Sequence, residues 1–158
     1  MKIQHQPGFH VAGITARTNN AHEMSGKGKI GDLWQEFLQP NVAAKIPNKI
    51  GGDLIALYTD YETDHTGDYT YLLGVPVLSD ESLPASLTLK HVPAGRYAVF
   101  TSGRGPVKQV VPEIWQRILS MSPEELGGAR AFKTDYEIYD QRATDPENAQ
   151  IDVYIGLR

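Results

Sequence analysis

Glu137 and Tyr139 are the residues whose types and spacing most directly suggest chemistry in this sequence. In Thr134-Asp-Tyr-Glu137-Ile-Tyr139-Asp140 they stand two apart in a run of strand-like composition, so their side chains share one face of a sheet. If that face is buried, an unpartnered carboxylate is costly by several kcal/mol, and it either holds a raised pKa or waits for a cation. If the face is wet, Glu137 simply solvates an open sheet, where glutamate is common. Aromatic residues accompany it: Tyr58, Tyr61, Tyr69 and Tyr71 on one expected hairpin, Tyr136 and Tyr139 on another, and Trp34 and Trp115 on the apolar stripes of two expected helices. Sheet packing and core filling account for such residues; the alternative is a crevice lined by Trp34, Phe37, Tyr58, Trp115 and Tyr139.

Other chemistries find little support. His5, His10, His22, His65 and His91 show no H-E-x-x-H, no His-x-His and no carboxylate at ligand spacing, so no metal site is expected. The G-x-S-x-G nucleophile elbow is absent. Gly26-Lys-Gly-Lys29 lacks the spacing of a phosphate loop and reads as a flexible insertion. Gly103-Arg-Gly105-Pro106 lies between a strand and a helix start, where free N–H groups could hold an anion; a tight turn leading into the helix is the stronger account.

The elements that must position these residues follow from length and pattern. A chain of 158 residues fits one globular domain, expected over 1–158, and 22% charged residues is too few for a disordered chain. The lack of cysteine removes disulfides, thiolate metal sites and cysteine nucleophiles together. A net charge of -4 without a Lys/Arg block argues against direct nucleic-acid binding. Met1 to Val11 has no apolar signal core, and no apolar run approaches the roughly 18 residues of a spanning helix, so a cytoplasmic protein without membrane contact is expected.

The chain also repeats itself. A shift of 81 lays Ile30–Leu38 on Val111–Leu119 with Trp34 on Trp115, and it places Tyr58 on Tyr139, Leu72 on Val153 and Ala56 on Glu137. A shift of 86 pairs His5 with His91, Pro7 with Pro93, Ala12 with Ala98 and Thr15 with Thr101, so the first half carries five extra residues, assigned to Asn19–Lys29. Halves of about 1–80 and 81–158 each predict strand, helix, strand, strand. The first has strands at Phe9–Thr18, Asp53–Tyr61 and Tyr69–Val77 around a helix at Ile30–Gln39. The second has strands at Ser86–His91, Arg96–Ser102, Phe132–Asp140 and Ile151–Leu157, a helix at Val107–Ser120 and a short helix capped by Ser122-Pro123. The fold class is therefore α+β: tandem pseudo-twofold modules, a mainly antiparallel sheet and two main helices, each with one apolar face to bury.

Two such modules, the Thr101-Ser-Gly-Arg-Gly-Pro-Val107 entry to a Trp-bearing helix, the Tyr136-Glu137-Ile-Tyr139 strand and the closing Ile151-Asp-Val-Tyr-Ile-Gly-Leu157 together resemble the GyrI-like small-molecule-binding domain, over nearly the whole chain. That domain is the effector-binding part of multidrug-responsive regulators of the AraC and MerR types. The resemblance implies a stand-alone module, of a kind also found on mobile gene cassettes, that binds lipophilic, cationic small molecules without a cofactor. Glu137 would meet the charge and Tyr139, Trp34, Phe37, Tyr58, Tyr71 and Trp115 would form an aromatic cage. Many relatives carry Tyr where this sequence has Val107, which removes one possible wall. Two rival readings come with the family: a hydrolase of reactive small molecules using Glu137 with Tyr58, Tyr71 or Tyr139, and a gyrase-inhibitor-like module acting on a protein partner.

Overall fold

The two periodicities in the sequence produce two kinds of element in the computed structural model, which describes residues 1–158. Period-2 runs give strands β1 (Lys2–Gln6), β2 (Phe9–Thr18), β3 (Leu54–Thr59), β4 (Tyr69–Val77), β5 (Thr88–Val92), β6 (Gly95–Thr101), β7 (Arg130–Tyr139) and β8 (Asp152–Leu157). The apolar stripes give helices α2 (Ile30–Phe37) and α3 (Val107–Leu119), which bury Leu33 and Phe37, and Val110, Ile114 and Ile118. Short helices α1 (Asn20–Met24) and α4 (Pro123–Leu126) complete the set, and Ser122 caps α4 by accepting the Glu125 N–H.

All eight strands form one antiparallel sheet in the order β1-β6-β8-β7-β3-β4-β2-β5. Exchanging the two halves of the chain turns this order into its own reverse, so a pseudo-twofold axis runs between β3 and β7. Ala56 and Glu137, equivalent in the repeat, face each other directly across that pair. The axis passes between them.

One face of the sheet carries the helices. Ala12, Ile14, Ala56, Tyr71 and Leu73 pack with Leu33 and Phe37, and Ala98, Phe100, Val153 and Ile155 pack with Ile114 and Ile118. The other face buries Val11, Ile55, Leu57, Leu72, Tyr97 and Tyr136 without a helix over it. Curvature explains this burial. Phe9 of β2 and Tyr136 of β7 lie 5.4 Å apart, although β3 and β4 intervene in the sheet.

The structure corrects the expected elements in two places. β1 occupies a stretch where no strand was expected, which makes each half a strand-strand-helix-strand-strand unit. Gly26–Lys29, expected as a flexible insertion, instead links α1 to α2 in a hydrogen-bonded connection. Asn19 caps α1 by accepting the His22 N–H at 2.8 Å, and the Glu23 carboxylate accepts the Lys29 and Ile30 N–H groups at 2.8 and 3.3 Å. Those two donors belong to the otherwise unsatisfied first turn of α2, so α1 supplies a cap from outside the helix. A Cβ on Gly28 would fall 2.0 Å from Glu23 Oε1, so a side chain there would push the Glu23 carboxylate out of its place. Gly28→Ala is expected to displace Glu23 and lower stability by about 1 to 2 kcal/mol in thermal or urea unfolding. Gly31→Ala, whose Cβ meets nothing within 4 Å, is expected to be neutral or mildly stabilising.

Candidate functional site

Alternation along β7 places Asp135, Glu137 and Tyr139 on the helix-bearing face, and β3 brings Tyr58 to the same face from the other half. Burial there is nearly complete: Glu137 is 1% exposed and Ala56 opposite it 0%. Opposed residues of an antiparallel pair leave their Cβ atoms roughly 5 Å apart, so two buried carboxylates at the axis would repel each other. Ala56 makes the room that Glu137 fills.

Both carboxylate oxygens of Glu137 are engaged. Oε2 accepts from the Tyr58 hydroxyl at 2.9 Å and the Trp115 indole N–H at 2.6 Å, and Oε1 accepts from the Tyr139 hydroxyl at 2.7 Å. Each tryptophan packs on the tyrosine of the other half: Trp34 meets Tyr139 with centroids 4.8 Å apart, and Trp115 meets Tyr58 at 5.0 Å. The two pairs are images under the pseudo-dyad. Trp34 has no carboxylate opposite it and donates instead to the Tyr71 hydroxyl at 2.8 Å. Tyr71 in turn lies edge-on to Tyr58 at 5.2 Å.

The structure therefore gathers Glu137, Tyr139, Tyr58 and Trp115 into one hydrogen-bonded group and joins Trp34 and Tyr71 to it. Phe37 is 2% exposed and sits in the hydrophobic cluster of the first half with Leu33. The rings pack against one another, so the two tryptophans fill the space between the halves. A groove of about 520 Å³, lined by Arg96, Tyr97, Lys133 and Arg158 among others, lies away from this group.

Electrostatics sharpen the picture. Burial raises the Glu137 pKa above the ordinary glutamate value of 4.5, against the opposing pull of bonds from Tyr139, Trp115 and Tyr58. Burial also raises Tyr58, Tyr71 and Tyr139 well above 10, and the neighbouring Glu137 charge adds to it. All three tyrosines stay neutral at physiological pH. Glu137 thus has three hydrogen-bond donors and no cation.

Asp135, two residues earlier, has the opposite environment. It is 0% exposed, and it pairs with Arg130 at 2.7 Å while accepting from the Tyr61 hydroxyl and the Gly156 N–H. Sequence reasoning did not single out this group. Its one signal was a second acidic residue on the Glu137 face. At the Gly103-Arg-Gly105-Pro106 turn, the Gly105 N–H bonds to Ala149 O and the Val107 N–H to Pro146 O, so those donors are already used.

The group thus sits in a pseudo-twofold α+β sheet with paired helices over one face and aromatic rings around the dyad. The chain belongs to the Cass2 family of integron-associated effector binding proteins, whose family model matches residues 2–157. Among its relatives, the putative transcriptional regulator protein YobU of Bacillus subtilis is 35% identical over 99% of this chain and 96% of its own length. The transcriptional regulator BrlR of Pseudomonas aeruginosa is 30% identical over 99% of this chain, which spans only 54% of BrlR. An integron cassette protein from the mobile metagenome of Vibrio cholerae superposes with a TM-score of 0.78 at 31% identity, covering 99% of this chain and 95% of that one. SAV2435, solved bound to tetraphenylphosphonium, shares the fold with a TM-score of 0.79 at 18% identity, covering 99% and 93%. The chain is thus an effector-binding protein by family, and its relatives include proteins named as transcriptional regulators. No helix is long and apolar enough to cross a membrane.

Proposed function

We propose that this domain binds lipophilic cations between its two halves, with Glu137 as the charge receptor and Trp34, Trp115, Tyr58, Tyr71 and Tyr139 as the aromatic walls. One observation carries this reading: of two buried carboxylates on the same face of β7, Asp135 has the Arg130 guanidinium at 2.7 Å, whereas Glu137 has only neutral donors. A buried carboxylate held this way attracts a proton or a cation, and the rings beside it, with centroids 4.8 to 5.2 Å from one another, give an entering cation π faces and apolar cover. The relative solved with tetraphenylphosphonium, itself a lipophilic cation, supports the same ligand chemistry.

The rings must part to admit a ligand. Trp115 is held to the carboxylate by a charge-assisted bond, and Trp34 only to a phenol, so Trp34 is the wall that yields. Intrinsic tryptophan fluorescence reads the event directly. Titration with methyltriphenylphosphonium is expected to saturate, and triphenylphosphine oxide, its neutral near-isostere, is expected to bind at least about tenfold more weakly because Glu137 is left desolvated and unpaired. Equal affinity for the two would overturn the proposal, and so would turnover of a reactive ligand without stoichiometric binding.

A further inference from the structure

We infer that the preferred ligands carry their charge at the molecular midpoint, between two aromatic arms, rather than at one end; the inference rests on the cation-binding reading above and specifies its ligand class. The geometry is that of the pseudo-dyad. Ala56 and Glu137 are repeat equivalents and face each other, so the single carboxylate of the group stands beside the axis. The two Trp/Tyr pairs are images across that axis, Trp34 on Tyr139 at 4.8 Å and Trp115 on Tyr58 at 5.0 Å, while Tyr71, whose repeat equivalent is Asp152, stands on one side only. Glu137 is bonded from both sides, by Tyr139 on Oε1 and by Tyr58 on Oε2.

Register sets the scale. Tyr139 lies opposite Leu54 and Tyr58 opposite Asp135, each two register positions from the Ala56–Glu137 pair and in opposite directions. At about 3.4 Å per residue, the Cα atoms of the two tyrosines stand roughly 7 Å to either side of the Ala56–Glu137 pair along the strands. A cation with one aromatic tail reaches one Trp/Tyr pair and leaves the other to water or to self-packing. A cation with two arms meets both pairs while its charge stays at Glu137. The departure from symmetry at the axis itself works in the same sense: Ala56 in place of a second acid leaves one anionic point, which suits a monocation.

The test uses two constitutional isomers with the same atoms and the same charge, so lipophilicity and electrostatics are matched. Dibenzyldimethylammonium places its nitrogen between two benzyl arms; para-phenylbenzyl-trimethylammonium places it at the end of one biaryl arm. Calorimetric or fluorescence titration of the unmodified protein is expected to show the first binding at least about tenfold tighter, with that ratio reduced in both Trp34→Leu and Trp115→Leu. Equal affinities, or a preference for the terminal charge, would overturn the midpoint rule and leave the cation reading standing. Absence of binding by both isomers and by methyltriphenylphosphonium would overturn the two together.

Discussion

Glu137→Gln is expected to lose about a hundredfold in affinity for methyltriphenylphosphonium, about 2.7 kcal/mol, while folding normally. Two unit charges at about 4 Å interact by about 4 kcal/mol at the effective dielectric constant of protein sites, and part of that is offset by desolvating the cation. The fold tolerates the change because glutamine can take over the hydrogen bonds. Its carbonyl oxygen can replace Oε2, accepting from Trp115 and Tyr58, and its amide can donate to the Tyr139 hydroxyl, which has lone pairs to accept it. The Trp115 N–H, which can only donate, fixes that orientation.

The same substitution has a pH signature. Burial holds the Glu137 pKa above 4.5 in the folded state, so the folded chain keeps a proton that the unfolded chain has released. Stability of the parent therefore declines as pH rises from the ordinary glutamate range through the raised folded pKa, and it levels off beyond it. Cation binding favours the carboxylate and expels that proton, so affinity rises with pH over the same window. Glu137→Gln should remove Glu137's contribution to both slopes. Denaturant melts and titrations across that range check this; an unchanged affinity profile in the variant would show that another group carries the charge selectivity.

How much of this was legible in the sequence differs from residue to residue. The helix stripes were, because Leu33, Trp34 and Phe37, and Ile114, Trp115 and Ile118, repeat at the helical period and a single apolar face must be buried. The repeat carried more. It made Ala56 the equivalent of Glu137, but it did not show that the dyad falls on that pair: Leu54 and Asp135 are equivalents too, and they face Tyr139 and Tyr58 instead. Glu23 was not legible, because a carboxylate reaching from one short helix to the first turn of the next leaves no periodic trace. Nor was the Arg130–Asp135 pair. Between those residues five positions of β7 span two of β8, so alternation read through the bulge puts side chains on the wrong face. Phe132, inside it, sits at φ 51°, a left-handed conformation no residue-type rule assigns to phenylalanine.

That bulge carries the second large effect. Asp135→Asn is expected to lower stability by about 3 to 5 kcal/mol, because it leaves the Arg130 guanidinium buried without its counter-charge. Arg130 has 8% of its side chain exposed, its Nε already lacks a partner, and its remaining contact is the Phe132 ring, 4.4 Å from the guanidinium carbon. Cation–π attraction of roughly 0.5 to 2 kcal/mol does not replace the lost carboxylate. The Tyr61 hydroxyl and the Gly156 N–H also depend on Asp135, so the variant loosens β7, β8 and the connection after β3 together. For a chain of this size the midpoint of thermal unfolding should fall by roughly 6 to 20 °C. Adding Arg130→Met removes the orphaned cation and is expected to recover part of the loss, giving a coupling energy above about 1 kcal/mol in the double-mutant cycle. Additive effects would show that Asp135 acts through Tyr61 and Gly156 alone. Conserving charge is thus expected to matter at Asp135 for folding, whereas at Glu137, two residues along the same face, removing it is expected to spare the fold and weaken cation binding.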